Sequence, residues 1–319
     1  MSISPRLRAP LAIAATVVLF IILFLRIPLR GVWSSFQGAD PILLAAALLL
    51  TGLFPLLSAL RWRRMLRLLG YGIPLGTAFR LIMAAWPVGA VTPSKSGDLI
   101  KAYYLKGRVP VGLTLGSVLA ERALDVLVLL AMSTAGAALF RWDTVLLVSG
   151  GGLAAVTAGV GLLVATGSRW PVPKPLKGKL DDLLRAFRVL LADPPSLGLV
   201  LFYTAANWFL SILQTYLCFH ALHRPVSLAL TAGALPLAIF VGLLPFTVSG
   251  MGTRDGALVL LYRGHAPAEV TLAVGILYTF FGYWMMALAG LPFLKKALPE
   301  GRGALMSARG SGGDEESGG

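Results

Sequence analysis

Charge is scarce in this sequence of 319 residues. Only 13% of positions are charged and 57% are hydrophobic, where an average soluble domain has roughly 25% charged residues. Mean hydropathy is +0.80. So little polar surface cannot wrap a soluble globule of this size, which argues against a soluble enzyme and against a disordered chain. Cysteine is nearly absent. Cys218 stands alone, so no intramolecular disulfide forms, and its apolar surroundings predict a small core or lipid-facing residue. Histidine occurs three times. His220 and His223 have helical spacing, but no third ligand stands near them, so no metal and no other cofactor is expected. No P-loop, His-Glu-x-x-His or Gly-x-Ser-x-Gly sequence is present, which removes the usual signatures of ATP-driven and hydrolytic chemistry. Acidic residues number 14 against 28 basic ones, for a net charge of +14. In so apolar a chain that excess reads as topology signal and attraction to anionic headgroups, not as nucleic-acid binding.

What is abundant is apolar sequence in long runs. A hydrocarbon core of about 30 Å needs about 20 apolar residues of helix. Residues 9–25, 40–60, 111–140, 144–166, 196–219 and 270–294 predict six full transmembrane helices. Two further stretches break the pattern. Residues 75–92 contain Arg80, Pro87 and Gly89, and 228–262 is too long for one span and is interrupted by Pro236, Pro245 and Ser249-Gly250-Met251-Gly252. We read them as two oppositely oriented re-entrant helical hairpins, 75–108 entering from the cytoplasm and 228–262 from outside. With both termini cytoplasmic, the inner segments 1–8, 61–71 (Arg61 included), 93–110, 167–190 and 295–310 hold 20 Lys and Arg, the outer loops hold five, and Arg80, Arg122 and Arg254 stay at membrane depth, the bias of the positive-inside rule. The fold class is thus an all-α polytopic membrane protein built as an inverted repeat: 1–142, then 143–298, then a Gly/Ser-rich tail, 299–319, expected to be disordered. Inverted repeats with interrupted segments at matching positions are typical of transporters. Residues 176–192 read as an amphipathic helix lying on the inner leaflet.

Ionisable groups at membrane depth mark candidate sites. Glu121, Arg122 and Asp125 share a helix face, and Arg122 can neutralise only one carboxylate well, so the other needs a partner from elsewhere or a proton. Ser94, Lys95, Asp98 and Lys101 surround a break at Pro93 and Gly97. Their hydroxyls, backbone N–H groups and ammonium groups suit an anion, while Asp98 could instead cap a half-helix. Ser249, Gly250 and Gly252 allow close backbone approach to a ligand, and Arg254 with Asp255 opens a helix, an anion site in outline. Arg254 is the natural partner for Glu121 or for a lipid phosphate. Arg80 either takes a direct role or snorkels to the interface. Asn207 and Gln214, on one face, suggest interhelical hydrogen bonds.

These residues carry a resemblance. Arg61-Trp62-Arg63-Arg64, Thr92-Pro93-Ser94 with Gly97-Asp98, Glu121-Arg122 with Asp125, and Pro245 through Asp255 resemble the lysylphosphatidylglycerol synthase transmembrane-region family, flippase-like membrane domains, over about residues 10–295. The resemblance implies movement of polar or charged lipids between leaflets, with aminoacylated phosphatidylglycerol, polyprenyl-phosphate carriers and hopanoid-type lipids as suggested substrates. The sequence departs from two-part synthases in showing no soluble aminoacyl-transferase domain, and it has Asp255 where Glu is expected. The expectation is a non-enzymatic lipid transporter of the bacterial cytoplasmic membrane, with an anionic or aminoacylated lipid as partner and a homodimer as an open option. Arg254, Arg122 and Lys95 or Lys101 would bind phosphate, and Glu121 and Asp125 would bind a cationic headgroup or carry protons. A membrane-embedded lipid-modifying enzyme and a non-transporting partner subunit of a biosynthetic enzyme are the alternatives.

Overall fold

The computed structural model describes residues 5–92, 96–244 and 246–294. Within them the regular structure is helical. Five helices are long and apolar enough to cross a membrane: Pro41–Leu68, Val111–Phe140, Asp143–Arg169, Pro194–Ala221 and Ala268–Leu294. At 1.5 Å per residue each spans about 40 Å or more, beyond the roughly 30 Å of a hydrocarbon core. A sixth is reached if the N-terminal pair counts as one span. There α1 (Pro5–Arg26) and α2 (Leu29–Phe36) meet at a bend of 86°, and Pro28, which lacks an N–H, stands at the break. The chain is therefore a multi-pass helical membrane protein.

Local chemistry sets many of the ends. α3 (Pro41–Thr51) is capped by Asp40, whose carboxylate accepts from the N–H groups of Ile42 and Leu43 at 2.8 and 3.2 Å. It continues across Gly52 into α4 (Leu53–Leu68). α5 (Leu75–Val91) ends at Thr92. A 3₁₀ turn (Ser96–Leu99) and the short α6 (Ile100–Tyr104) follow. α7 (Val111–Phe140) stops at Arg141 in the left-handed region, and α8 (Asp143–Thr166) follows. α9 (Lys174–Leu191) precedes α10 (Pro194–Ala221), which Asp193 caps through the Ser196 N–H. α11 (Leu228–Leu243) is capped by Ser227 and folds back into α12 (Thr253–Leu261). α13 (Ala268–Thr279) runs through a π turn, Phe280–Met285, to Leu294.

The amphipathic helix is corrected. α9 does not leave its apolar stripe to lipid. Leu184, Ala186, Phe187 and Leu190 are buried, and Gly112 and Gly116 of α7 let Asp182 and Leu183 approach so closely that a Cβ would stand 2.6 and 2.8 Å from them. The protein itself offers the complementary surface. Glycine also sets the core crossing of α7 and α11, where a Cβ on Gly136 would lie 2.1 Å from the Gly233 Cα. Small residues of this kind let helix backbones approach in a membrane, where dispersion replaces the hydrophobic drive. α8 is the exception, with 6% of its apolar window buried.

Candidate functional site

Three basic and three acidic side chains meet where α4, the 96–104 segment, α7 and α10 converge. Arg61 is 3% exposed. It donates from Nε to Glu121 Oε1 at 3.0 Å and from Nη1 to Asp125 Oδ1 at 2.7 Å and Thr204 Oγ1 at 3.2 Å. Lys101 Nζ lies 3.5 Å from Glu121 Oε2 and 3.2 Å from Asp98 Oδ1. Arg122 Nη2 lies 3.1 Å from Asp125 Oδ2 and 3.3 Å from Asp98 Oδ2. The six formal charges cancel, which is how such a group tolerates burial.

Helix periodicity explains who reaches whom. Glu121 and Asp125 stand four apart on α7 and turn inward together. On α4, Arg61 and Trp62 are buried, whereas Arg63 donates to the Ile73 carbonyl and Arg64 to Ser196 Oγ. Trp62 Nε1 donates to Ser117 Oγ at 3.1 Å, and its ring carries the Lys101 ammonium 5.2 Å from the centroid. Trp208 of α10 donates Nε1–H to Asp125 Oδ1 at 3.1 Å.

The cluster opens into a cavity of about 850 Å³, counting its mouth. Arg61, Asp98, Lys101, Arg122 and Asp125 form its charged side; Trp86, Trp208, Tyr278 and Tyr283 wall it. Two buried polar atoms on residues lining it, Arg122 Nε and Asn207 Oδ1, have no hydrogen-bond partner among the described residues. Unsatisfied buried groups are uncommon and call for a ligand, water or functional role. Gln214, by contrast, donates to the Ala47 carbonyl and Thr51 Oγ1, both at 2.8 Å. It makes the expected interhelical hydrogen bonds, and Asn207 Oδ1 makes none among the described residues.

A second centre lies nearby. Arg254 Nη2 donates to Asp255 Oδ1 at 2.9 Å and to Thr279 Oγ1. Its guanidinium carbon sits 4.5 Å from the Tyr278 ring centroid and 5.7 Å from that of Tyr283. Asp255 Oδ2 accepts from the Gly252 N–H at 2.9 Å. The Ser249 hydroxyl donates to the carbonyls of Gly89 and Ala90 at 3.1 and 2.9 Å, so the loop before α12 grips the end of α5.

Several expectations change here. Arg254 does not pair with Glu121. Arg61, counted among the cytoplasmic loop residues, takes that place because the helix continues past the apolar run and carries it inward. The start of α12 is not an open anion site, since Asp255 caps its own helix. Gly250 and Gly252 approach protein backbone and Leu19, not open space: a Cβ on Gly250 would lie 2.6 Å from the Gly242 carbonyl oxygen. Arg80 joins neither centre; it is exposed and donates to Gly76 O and Thr77 Oγ1. Ser94 and Lys95 lie outside the described residues. Glu121, Arg122, Asp125, Asp98 and Lys101 are brought together as a group. Arg61, Trp208, Tyr278 and Tyr283 were missed. The surplus carboxylate was a signal for Arg61; the aromatics left none, since Trp and Tyr are ordinary in membrane helices.

Comparison with known proteins covers most of the chain. The family described as "Lysylphosphatidylglycerol synthase TM region" matches residues 9–290. A UPF0104 membrane protein of Methanothermobacter thermautotrophicus is 23% identical over 303 residues, covering 83% of this chain and 89% of the relative. One from Methanocaldococcus jannaschii is 23% identical over 290 residues, covering 79% and 84%. Glycosyltransferase AglD of Haloferax volcanii is 31% identical over 133 residues, 40% of this chain and 21% of that protein. The three relatives are archaeal and lend nothing to the expectation of a bacterial membrane.

Proposed function

The chain belongs to the lysylphosphatidylglycerol synthase TM region family, and from that premise we propose that it moves a phosphate-bearing lipid headgroup across the cytoplasmic membrane, with both termini inside and no catalysis of its own. The observation that carries this reading is the cavity. A charge-balanced cluster opens into a polar, aromatic-walled space inside an otherwise apolar bundle. Ionisable groups at membrane depth are costly and are functional-site candidates by default. Arg122, with Nε unpartnered, and Lys101 would hold the phosphate. Glu121 and Asp125 would hold a cationic part of the headgroup or carry protons. The acyl or prenyl chains would stay in lipid.

The contact pattern supports two inverted halves, 1–142 and 143–298, each with a re-entrant hairpin. In the first, α7 brings Glu121 and Arg122 to Lys101 and Asp98 on the returning limb. In the second, the last long helix brings Tyr278 and Thr279 to Arg254 on the returning limb. Gly136 of α7 crosses Gly233 of α11, and Gly290 of the last helix crosses Met83 and Pro87 of α5. Each half's third span thus crosses the descending limb of the other half's hairpin, as exchange about a pseudo-two-fold axis requires.

The test is movement of a fluorescent phosphatidylglycerol across vesicles containing the purified protein. Loss of movement in Glu121→Gln and Arg122→Gln is expected. Wild-type rates in both folded variants would sink the reading. The similarity to a glycosyltransferase favours one second reading, a membrane partner of, or part in, a lipid-modifying enzyme. Lipid conversion by the protein, without movement, would select it.

A further inference from the structure

Tyr278 and Tyr283 are shared between the two centres. They wall the open cavity, and their rings also lie against the Arg254 guanidinium. Arg254 is 2% exposed and is not among the cavity's lining residues. Its Nη2 is engaged, but Nε and Nη1 have no partner among the described residues. Two buried guanidinium donors therefore stand behind a two-tyrosine wall, across from a cavity whose own Arg122 keeps a spare N–H. Gly242 and Gly275 make the room: a Cβ on Gly242 would lie 2.9 Å from Arg254 Cβ, and one on Gly275 2.6 Å from Asp255 Oδ1.

We propose that Arg254 is a second oxyanion station, closed in this structure, which receives the headgroup phosphate after it leaves Arg122 and Lys101; this deepens the transport reading and rests on it. A phosphate oxygen accepts from Nη1 or from Nε, which lie on opposite edges of the guanidinium, while Nη2 stays with Asp255 and Thr279. Asp255 thereby keeps both its Nη2 partner and its bond to the Gly252 N–H, so no buried carboxylate is stranded. The wall between the stations has a hinge. The π turn Phe280–Met285 carries Tyr283 and Gly282, and the Gly282 carbonyl accepts from Trp86 Nε1 at 3.0 Å. π turns hold one surplus residue and occur often at functional sites. Relaxing the turn to α geometry rotates Tyr283 by about 100° relative to Tyr278, the angle of one residue, and parts the pair. Ser249, holding the Gly89 and Ala90 carbonyls on the cavity wall, links that motion to the open side.

Two readouts on one set of variants test this. Vesicles of phosphatidylethanolamine and phosphatidylglycerol report movement of fluorescent phosphatidylglycerol, and native mass spectrometry of detergent-purified protein reports retained phosphatidylglycerol. Arg122→Gln is expected to lose both. Arg254→Gln is expected to retain the lipid like wild type while movement falls at least tenfold, and Arg254→Lys, which keeps the charge, to recover part of it. Arg254→Gln that moves lipid normally, or that loses retention together with movement while Arg254→Lys does the same, overturns the second station and leaves the transport reading standing. A wild-type protein that moves no lipid overturns both.

Discussion

Removing the Arg61 guanidinium should be among the most damaging single changes available to this chain. Arg61 donates to two carboxylates and a hydroxyl, and Glu121 and Asp125 are buried. In Arg61→Met the volume is nearly kept and the charge lost. Lys101 still reaches Glu121 and Arg122 still reaches Asp125, but three carboxylates then face two cations. Breaking a buried ion pair from one side costs about 3–5 kcal/mol, because the orphaned charge stays behind. For a chain of this size, that corresponds to a drop in Tm on the order of 5–15 °C. The assay is thermal unfolding in detergent, run beside Asp125→Asn and the double variant. The double variant removes one unit of each sign and should recover most of the loss, with a coupling of at least about 1 kcal/mol. A Tm for Arg61→Met within about 2 °C of wild type, or strictly additive singles, would refute the view of the cluster as one electrostatic unit.

Glycine crossings give a second test. Gly136→Ala places a methyl against the Gly233 backbone and should cost about 1–3 kcal/mol by overpacking, whereas Gly151→Ala, with nothing within 4 Å, should be neutral or slightly stabilising; equal melting temperatures would contradict the α7–α11 contact. Topology can be read with a membrane-impermeant thiol reagent, because the native Cys218 is buried. Arg169→Cys should label from the cytoplasmic side and Arg224→Cys from the opposite one, both positions being exposed; labelling of both from one face would contradict the crossing of α10, and the exchanged pattern would reverse the orientation.

Much of the bundle is legible in the residues because membrane helices answer to one solvent. Long apolar runs must satisfy their backbone internally, and their lengths are set by bilayer thickness. That is why the long apolar spans and the two shorter interrupted segments were readable before any coordinates. The inward face of α7 was readable too, since the four-residue spacing of Glu121 and Asp125 forces both to one side. Arg61 was misplaced for a reason of the same kind. A run of Arg61-Trp62-Arg63-Arg64 has the composition of a cytoplasmic loop, and composition does not say that α4 continues to Leu68. The helix turns Arg61 onto Glu121 and Asp125, while Arg63 bonds to the Ile73 carbonyl and Arg64 to Ser196 on α10.

Sequence alone therefore determined the class of molecule, its five long apolar helices, and which residue types had to find partners, because hydrophobic length, charge scarcity and helical period are local properties. Only the tertiary structure decided the pairing. Glu121 takes Arg61 and Lys101, sixty and twenty residues away, Arg254 takes its neighbour Asp255, and five aromatics from four helices close around one cavity. Low dielectric makes every buried charge demand a counter-charge without naming it. The choice falls to whichever helices pack together, and here that is set by glycine contacts such as Gly136 with Gly233, whose meaning appears only when two backbones meet.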